Sequence, residues 1–281
     1  MPTVRTRREP QPFRRVEVAR AELLTPRLRR LTLTGPELAG LPEDLPAGSV
    51  RLLVPTGPLD ADGRLELPTW NGNEFRFTDG TRPPIRTLTP RRSATDPQPG
   101  VAAELDVAPE LDVDVVLHEG GTLSSWARDA QPGNELAVTG TGRGYTIDPT
   151  ADRFLLAGDE TALPGIAVVL EGLPPAASVD VLIEVAHPDA RLELPSHPHA
   201  TVTWFDLPED AAPGAAILAA VNALGLDPTT AAGTRVWAAG EAAGMHRLRR
   251  HLFEEAGLTR SQAVVRGYWK VGRSADGSDP D

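Results

Sequence analysis

The stretch RFLLAGDETALPGIAVVL, residues 153–170, decides the fold class of the second half of this chain. Its apolar residues 154–157 predict a short buried strand, and Gly158 separates that strand from an apolar segment of helical length. A strand that breaks at glycine and continues into a helix is typical of α/β sheets that present backbone N–H groups to a ligand. Packing alone would not predict the polar residues 159–161 at this junction. The stretch therefore predicts a ligand-binding loop.

The segment from Arg153 to the C-terminus alternates strand and helix patterns, which indicates a parallel, doubly wound sheet. A helical apolar repeat in the last helix is closed by Gly257. We expect strands at 153–157, 179–186, 201–205, 234–239 and 262–268, and helices at 161–172, 213–224 and 242–256.

The first half follows a different pattern. Short apolar runs, divided by glycine, proline and aspartate, predict an antiparallel β-barrel. Strands are expected at 16–18, 31–33, 50–54, 111–117 and 135–139, with one helix near 124–130. The chain is therefore predicted to hold a barrel domain at 13–148 and an α/β domain at 152–272, with flexible tails at 1–12 and 273–281.

The composition excludes several classes of function. The 281 residues contain no cysteine, which rules out disulfides, thiolate metal sites and cysteine-ligated iron–sulfur clusters. The net charge of −11 argues against nucleic-acid binding. No apolar run approaches the ~20 residues of a membrane helix, and the N-terminus lacks the apolar core of a secretory signal. A cytoplasmic protein is expected, and a monomer is favoured, although the sequence does not fix the oligomeric state.

The first candidate site is the segment PPIRTLTPR, residues 83–91. In an extended strand Arg86 and Leu88 share one face, so one ligand on that face could meet both a guanidinium and an apolar side chain. A guanidinium suits phosphate because it donates two parallel charge-assisted bonds. Thr89 can hydrogen-bond the polar edge of a flat ring. The alternative is an ordinary edge strand that carries a surface arginine.

The second candidate site lies between residues 111 and 144. His118 ends an apolar strand, and two glycines follow it before a helix that is expected to start near Ser124. The free N–H groups of that helix would face a phosphate. Ser124 can equally be a plain helix cap.

These segments, together with WAAGE at 237–241 and RGYWKVG at 266–272, resemble one family. It is the siderophore-interacting proteins, FAD-dependent ferric-siderophore reductases related to ferredoxin–NADP reductases. Residues 158–164 resemble the family's GDET-A-LP signature. Residues 86–89 resemble its Arg-x-Tyr-Thr motif, except that Leu88 replaces the tyrosine that stacks on the flavin ring.

The resemblance implies a set of site residues. FAD is expected at Arg86, Thr87, Leu88, Thr89, His118, Thr122, Ser124 and Trp126. NAD(P)H is expected at Gly158, Asp159, Glu160, Thr161, Gly240, Glu241 and Trp269. The anionic ferric siderophore is expected at Arg266 and Lys270. No metal site and no catalytic protein base are implied.

Within the NAD(P)H loop we expect Thr161 to cap the helix, while Asp159 and Glu160 line the cleft. Glu184, at the end of the second α/β strand, would accept a hydrogen bond from a ribose hydroxyl and favour NADH. Arg191 would reverse that preference, so the choice between NADH and NADPH stays open. Trp269 would cover a ring face or simply pack.

The expected function is NAD(P)H-dependent reduction of ferric siderophores through FAD, with release of Fe(II). One alternative is a siderophore- or ligand-binding protein of the same fold with weak or lost flavin turnover, for which Leu88 is the evidence. Another is a flavin reductase that acts on a different acceptor.

Overall fold

The computed structural model describes residues 10–41, 45–94, 108–142, 144–227 and 231–272. The two expected flexible tails lie almost wholly outside these ranges, so their flexibility is not tested. Among the described residues, no helix is long and apolar enough to cross a membrane.

The N-terminal half forms one seven-stranded antiparallel sheet, in the order β6-β3-β9-β1-β2-β8-β7. Only Thr89 separates β6 from β7 in the chain, although these strands are the two edges of the sheet. The sheet therefore curls until its edges approach each other, which confirms the expected antiparallel barrel. Its strands and helix are β1 Arg14–Thr25, β2 Leu28–Thr34, β3 Ser49–Leu53, β6 Ile85–Leu88, β7 Pro90–Ala94, β8 Glu110–Val116, α1 Thr122–Asp129 and β9 Glu135–Gly142, and a separate hairpin is formed by β4 Thr69–Trp70 and β5 Phe75–Arg76.

The C-terminal half forms a five-stranded parallel sheet in the order β12-β11-β10-β13-β14, as expected for a doubly wound domain. Its elements are β10 Arg153–Asp159, α2 Leu163–Gly172, β11 Ser178–Val185, β12 Ala200–Asp206, α3 Ala215–Ala223, β13 Thr234–Glu241, α4 Ala242–Arg250 and β14 Ala263–Trp269. The strand order reverses at β10, so the carboxyl ends of β10 and β13 flank the crevice where ligands of such sheets bind.

Several expected boundaries differ from those of the structure. The helix expected at 161–172 begins at Leu163, because a 3-10 turn at Glu160–Ala162 precedes it. The helix expected at 242–256 ends at Arg250 and continues as a π-helical turn, His251–Glu255. The helix expected from Ser124 begins at Thr122. The β4–β5 hairpin was not expected at all, because its strands are only two residues long.

The two halves share a hydrophobic core. Leu28, Ala47 and Tyr145 from the barrel side belong to the same buried cluster as Trp237 and helix α2. A Cβ on Gly165 would lie 2.5 Å from the Trp237 ring, so a glycine is required where α2 meets that ring. This shared core holds the parallel sheet against the barrel.

Candidate functional site: the carboxyl edge of the parallel sheet and strand β6

The Asp159 carboxylate joins the ends of three strands. Its Oδ1 atom accepts from the Thr161 N–H at 2.9 Å and the Thr161 hydroxyl at 2.5 Å. Its Oδ2 atom accepts from the Glu241 N–H at 2.9 Å and from Nε1 of Trp269 at 2.7 Å. Removal from water raises the pKa of the Asp159 carboxyl, and these hydrogen bonds oppose that rise. Asp159, not Thr161, therefore caps the turn, and the expectation for Thr161 is wrong.

Glu160 does not line the cleft. Its carboxylate is buried and accepts from Nε of Arg27, at 3.1 and 3.2 Å, and from the Ala186 N–H at 2.7 Å. Arg27 lies in the turn between β1 and β2 of the barrel. Glu160, which we expected to line the cleft, therefore forms an ion pair that joins the two halves of the chain.

Two glycines let the strand ends approach each other. A Cβ on Gly158 would lie 2.3 Å from the Ala239 carbonyl oxygen, and one on Gly240 would lie 2.7 Å from Oδ2 of Asp159. Both contacts are too short for any side chain, so these glycines close-pack the sheet edge. Glu241 caps α4, because its Oε2 accepts from the Gly244 N–H at 2.8 Å, and its side chain is buried.

Glu184 is also withdrawn from solvent. Its Oε1 atom accepts from the Gly214 N–H at 2.6 Å, at the start of α3. The carboxylate is only 2% exposed, which leaves it no surface for a ribose hydroxyl. Arg191 donates to both oxygens of Asp206, at 2.7 and 2.8 Å, in an exposed pair. The ribose contact expected of Glu184 is wrong.

Strand β6 carries the other half of the site. Arg86 lies opposite Leu52 and Leu88 opposite Val50, so Arg86 and Leu88 share a face, as the strand pattern predicts. Leu88 is half-buried and packs against the barrel core. Thr87 points to the other face, opposite Arg51, and both are exposed.

Thr89 connects β6 to the parallel sheet. It is 5% exposed, and its hydroxyl lies 3.1 Å from the Tyr268 hydroxyl at the end of β14. The hydroxyl of Thr89 is thus in contact with the other half of the chain, and its expected contact with a flavin ring edge stays a prediction. Tyr268 itself was missed as a connecting residue, although it lies in the RGYWKVG segment.

The loop before α1 has the character of an anion site. The residue that precedes the helix, Gly121, has no side chain that could cap its first N–H groups. Gly120 has φ +79°, and a Cβ on Gly121 would lie 2.5 Å from the His118 ring. His118 is exposed beside these N–H groups, and Thr122 begins the helix.

Ser124 serves the loop rather than a ligand. Its hydroxyl accepts from the His118 N–H at 2.8 Å and donates to the His118 carbonyl at 2.7 Å. The side chain is 2% exposed, and it lies in the third position of the helix, so its expected function as helix cap is wrong. Trp126 packs half-buried against the same barrel core as Leu88.

The two expected siderophore contacts differ in their surroundings. Arg266 donates to the carbonyl oxygens of Gly144, at 3.1 Å, and Ala47, at 3.4 Å. It therefore ties β14 to the barrel, and its expected contact with the siderophore stays a prediction. Lys270 follows β14 and is exposed.

A cavity on the barrel was not predicted. Its volume is about 480 Å³, and its lining includes Arg51, Trp70, Arg82 and Ile85. Arg51 has no hydrogen-bond or ion-pair partner among the described residues, whereas Arg82 pairs with Glu74 at 2.9 Å. The sequence could have shown Arg51, which pairs with Thr87, as a charged residue within an apolar strand. It could not have shown the hairpin that forms the cavity wall.

Two family models match this chain. The model of the siderophore-interacting FAD-binding domain matches residues 17–145, and that of the siderophore-interacting protein matches residues 151–272. The chain belongs to the siderophore-interacting protein family. Ferric vibriobactin reductase ViuB of Vibrio cholerae is 30% identical over 266 residues, covering 94% of this chain and 91% of that protein.

Solved structures agree with this membership. A siderophore utilization protein from T. fusca is 33% identical, with a TM-score of 0.72 over 95% of this chain and 96% of that one. The ferredoxin reductase in carbazole 1,9a-dioxygenase is 15% identical, with a TM-score of 0.64 over 92% of this chain and 69% of that one, and it shows the fold alone. The chain is thus an FAD-binding family member with a ferredoxin reductase-like fold.

Proposed function

We propose that this protein is an FAD-dependent reductase that takes a hydride from NAD(P)H and reduces ferric siderophores to release Fe(II), in the cytoplasm where NAD(P)H is supplied. The observation that carries the proposal is the contact between Thr89 and Tyr268, which brings the end of the flavin-motif strand to the carboxyl edge of the parallel sheet. Two ligands bound at these two places would lie next to each other.

The residues present fit FAD. The N-terminus of helix α1, beside His118, suits the diphosphate, and it lies on the same half of the chain as the Arg86 guanidinium. Leu88 offers an apolar surface to the flat ring, and the hydroxyl of Thr87 is exposed. When bound, FAD would accept two electrons as a hydride and pass them on one at a time.

The NAD(P)H side is formed by the loop at 158–161, by Gly240 and by Trp269. The two glycines keep the strand ends close, so backbone rather than side chains lines this edge. The Trp269 ring is 39% exposed at the same edge and offers an aromatic face. Asp159 holds Trp269 and the turn by hydrogen bonds. The buried Glu160 and Glu241 side chains stabilise the loop by their own hydrogen bonds.

The ferric siderophore would meet Arg51 and Lys270. Arg51 is an exposed cation without a partner among the described residues, it lines the cavity beside β6, and its guanidinium suits an anionic chelate. The electrons balance when one NAD(P)H reduces two ferric ions, giving NAD(P)+, one proton and two Fe(II). The siderophore already fills the iron's coordination shell, so no protein ligand and no protein base are needed.

The test uses FAD-loaded protein under anaerobic conditions, with a ferric catecholate, a ferric hydroxamate and a quinone as separate acceptors and a colorimetric Fe(II) trap. We expect NADH or NADPH to bleach the flavin band, and at least one ferric chelate, but not the quinone, to restore it with trapped Fe(II). The variant Arg51→Gln should raise KM for the chelate and leave flavin reduction by NAD(P)H unchanged. Faster reoxidation by the quinone would support a reductase with another acceptor. Absence of bleaching would support a binding protein.

A further inference from the structure

Strand β14 ends in a bulge that sends two aromatic residues to different neighbours. The register between β13 and β14 shifts after Gly240, so that Glu241 lies opposite Trp269 and the pairing passes over Tyr268. Tyr268 reaches Thr89 on the barrel side, and Trp269 donates its indole N–H to Asp159. Each ring is therefore held by its polar atom at a fixed place.

The indole is held at one edge only. Its Nε1 atom lies 2.7 Å from Oδ2 of Asp159, yet the side chain remains 39% exposed at the carboxyl edge of the sheet. A short bond to a carboxylate is charge-assisted and stronger than a bond to a neutral acceptor. Part of the side chain thus stays exposed, while the bond to Asp159 sets the orientation of the ring.

The chemistry of Asp159 suits this task better than any other side chain. Both oxygens are used, each by two donors, and Thr161 occupies Oδ1 through its N–H and its hydroxyl. An asparagine would present an NH2 group to one of these donor pairs, so it would lose either the turn or the indole. A Cβ on Gly240 would lie 2.7 Å from Oδ2, which shows how closely the carboxylate is enclosed.

We propose that Asp159 is a positioning residue that fixes the Trp269 indole as one wall of the nicotinamide cleft, and so sets the affinity for NAD(P)H without touching it. The proposal rests on the proposed function. When the indole is already fixed, no conformational entropy is lost in ordering it as a flat ring binds against it. Loss of this preorganisation therefore weakens the binding of the ligand. We therefore expect KM for NAD(P)H to change while the affinity for FAD does not.

The chain contains a matched control. Asp148 makes the same local contacts as Asp159, because its Oδ1 accepts from the Thr150 N–H at 3.0 Å and the Thr150 hydroxyl at 2.7 Å. Its Oδ2 accepts from Arg235 instead of an indole. The variant Asp148→Asn therefore damages the same type of turn away from the sheet's carboxyl edge.

The first readout is the indole N–H signal of Trp269 in a 1H–15N spectrum of FAD-free protein, assigned by its absence in Trp269→Phe. In the wild-type protein we expect it downfield of the other indoles and protected from exchange. In Asp159→Asn it should move upfield and exchange faster, and in Asp148→Asn it should not move. An unmoved signal in Asp159→Asn would overturn the proposal, whatever the activity of the protein.

The second readout separates KM from kcat in flavin reduction. We expect Asp159→Asn and Trp269→Phe each to raise KM for NAD(P)H up to about tenfold, because a loose aromatic side chain must then be ordered when the ligand binds, with kcat within about twofold. The double variant should be no worse than either single one. Asp148→Asn should leave KM unchanged.

The outcomes are distinguishable. If Asp159→Asn fails to fold, Trp269→Phe still tests the wall, because phenylalanine keeps a smaller aromatic ring but has no N–H to donate to Asp159. A shifted indole signal with unchanged KM in both variants would overturn the proposal. A wild-type protein whose flavin is not reduced by either nicotinamide would refute the proposed function, and with it the purpose of the wall, while the spectrum would still show the Asp159–Trp269 bond.

Discussion

Asp159 and Glu160 show how adjacent carboxylates acquire different tasks. The first collects donors from the ends of β13 and β14, while the second turns inward to Arg27. The sequence predicts a polar junction at this place, and the structure has one. It cannot predict which way each side chain turns, because Arg27 is 133 residues away from Glu160 and nothing local marks it as a partner.

Leu88 offers the sharpest residue-level prediction. An aliphatic side chain covers a flavin ring by area but lacks the stacking of an aromatic ring, a difference of roughly 0.5–1.5 kcal/mol. We therefore expect Leu88→Tyr to lower the Kd for FAD about three- to tenfold, measured by quenching of flavin fluorescence. The variant Leu88→Met, similar in volume, should leave the Kd unchanged. Equal affinities in all three proteins would show that this side chain does not face the ring.

At the level of elements, helix α1 depends on an arginine from a neighbouring strand. Arg29 of β2 donates to the carbonyl oxygens of Arg128, at 2.7 Å, and Ala130, at 2.9 Å, which are otherwise open at the end of the helix. The guanidinium closes the C-terminus of the helix whose N-terminus is the candidate diphosphate site. A substitution that weakens the C-terminus of helix α1 should therefore also disturb its N-terminus.

We expect Arg29→Lys to lower the free energy of unfolding by about 1–2 kcal/mol, because a single ammonium group cannot match both carbonyls. Hydrogen exchange should accelerate in α1 and not in β9, and the affinity for FAD should fall. The control Arg20→Lys alters an exposed arginine paired with Glu110 and should leave the free energy of unfolding nearly unchanged. Uniform acceleration across the barrel would contradict this local effect.

The element order was predictable for physical reasons. The alternation of strand and helix patterns after Arg153 arises because a parallel sheet is buried on both faces. It predicts the type of each secondary-structure element better than the length of that element. The π-helical turn at His251–Glu255 and the 3-10 turn at Glu160–Ala162 are too short to change the apolar pattern visibly, so the sequence does not show them. The strand expected at 135–139 extends to Gly142, because pairing with β3 continues past the apolar residues.

At the scale of the whole molecule, ion pairs join the two halves. Arg27 meets Glu160, Arg91 meets Glu171 of α2 at 2.7 Å, and Arg235 of β13 meets Asp148 before β10 at 2.7 Å. These partners are all distant in the chain, so neither the pairs nor the relative placement of the two halves was predictable from the sequence. That placement is what brings the two candidate ligand sites together.

The Arg27–Glu160 pair is the most deeply buried of the three. Arg27→Met would leave the Glu160 carboxylate, 8% exposed, without its cation, and we expect a loss of about 2 kcal/mol in urea unfolding. The value lies below that of a fully buried pair because Arg27 is 32% exposed. Arg191→Met, which breaks the exposed pair with Asp206, should cost about 0.5 kcal/mol or less. Equal costs would show that Glu160 does not need Arg27.

Asp148 makes the connection between the halves sensitive to acid. Hydrogen bonds from the Thr150 hydroxyl and N–H, followed by the Arg235 guanidinium, lower the pKa of its carboxyl from 3.8 to about 2. A carboxyl with a lowered pKa in the folded state stabilises the protein above the unfolded-state pKa and loses that effect as the pH falls. The wild-type advantage over Asp148→Asn in free energy of unfolding should therefore be complete above pH 3.8 and vanish towards pH 2. An advantage that stays constant over this range would contradict the assignment.

The most direct test of the proposed reductase is the visible spectrum of the folded protein in the presence of FAD. Titration of the full chain with FAD should saturate at one flavin per chain, and the bound flavin should then bleach anaerobically with NADH or NADPH. The variant Arg86→Glu should lose the flavin while it keeps its fold by circular dichroism. Folded wild-type protein that binds no flavin in excess FAD would contradict the proposal that the barrel and the parallel sheet enclose a redox cofactor.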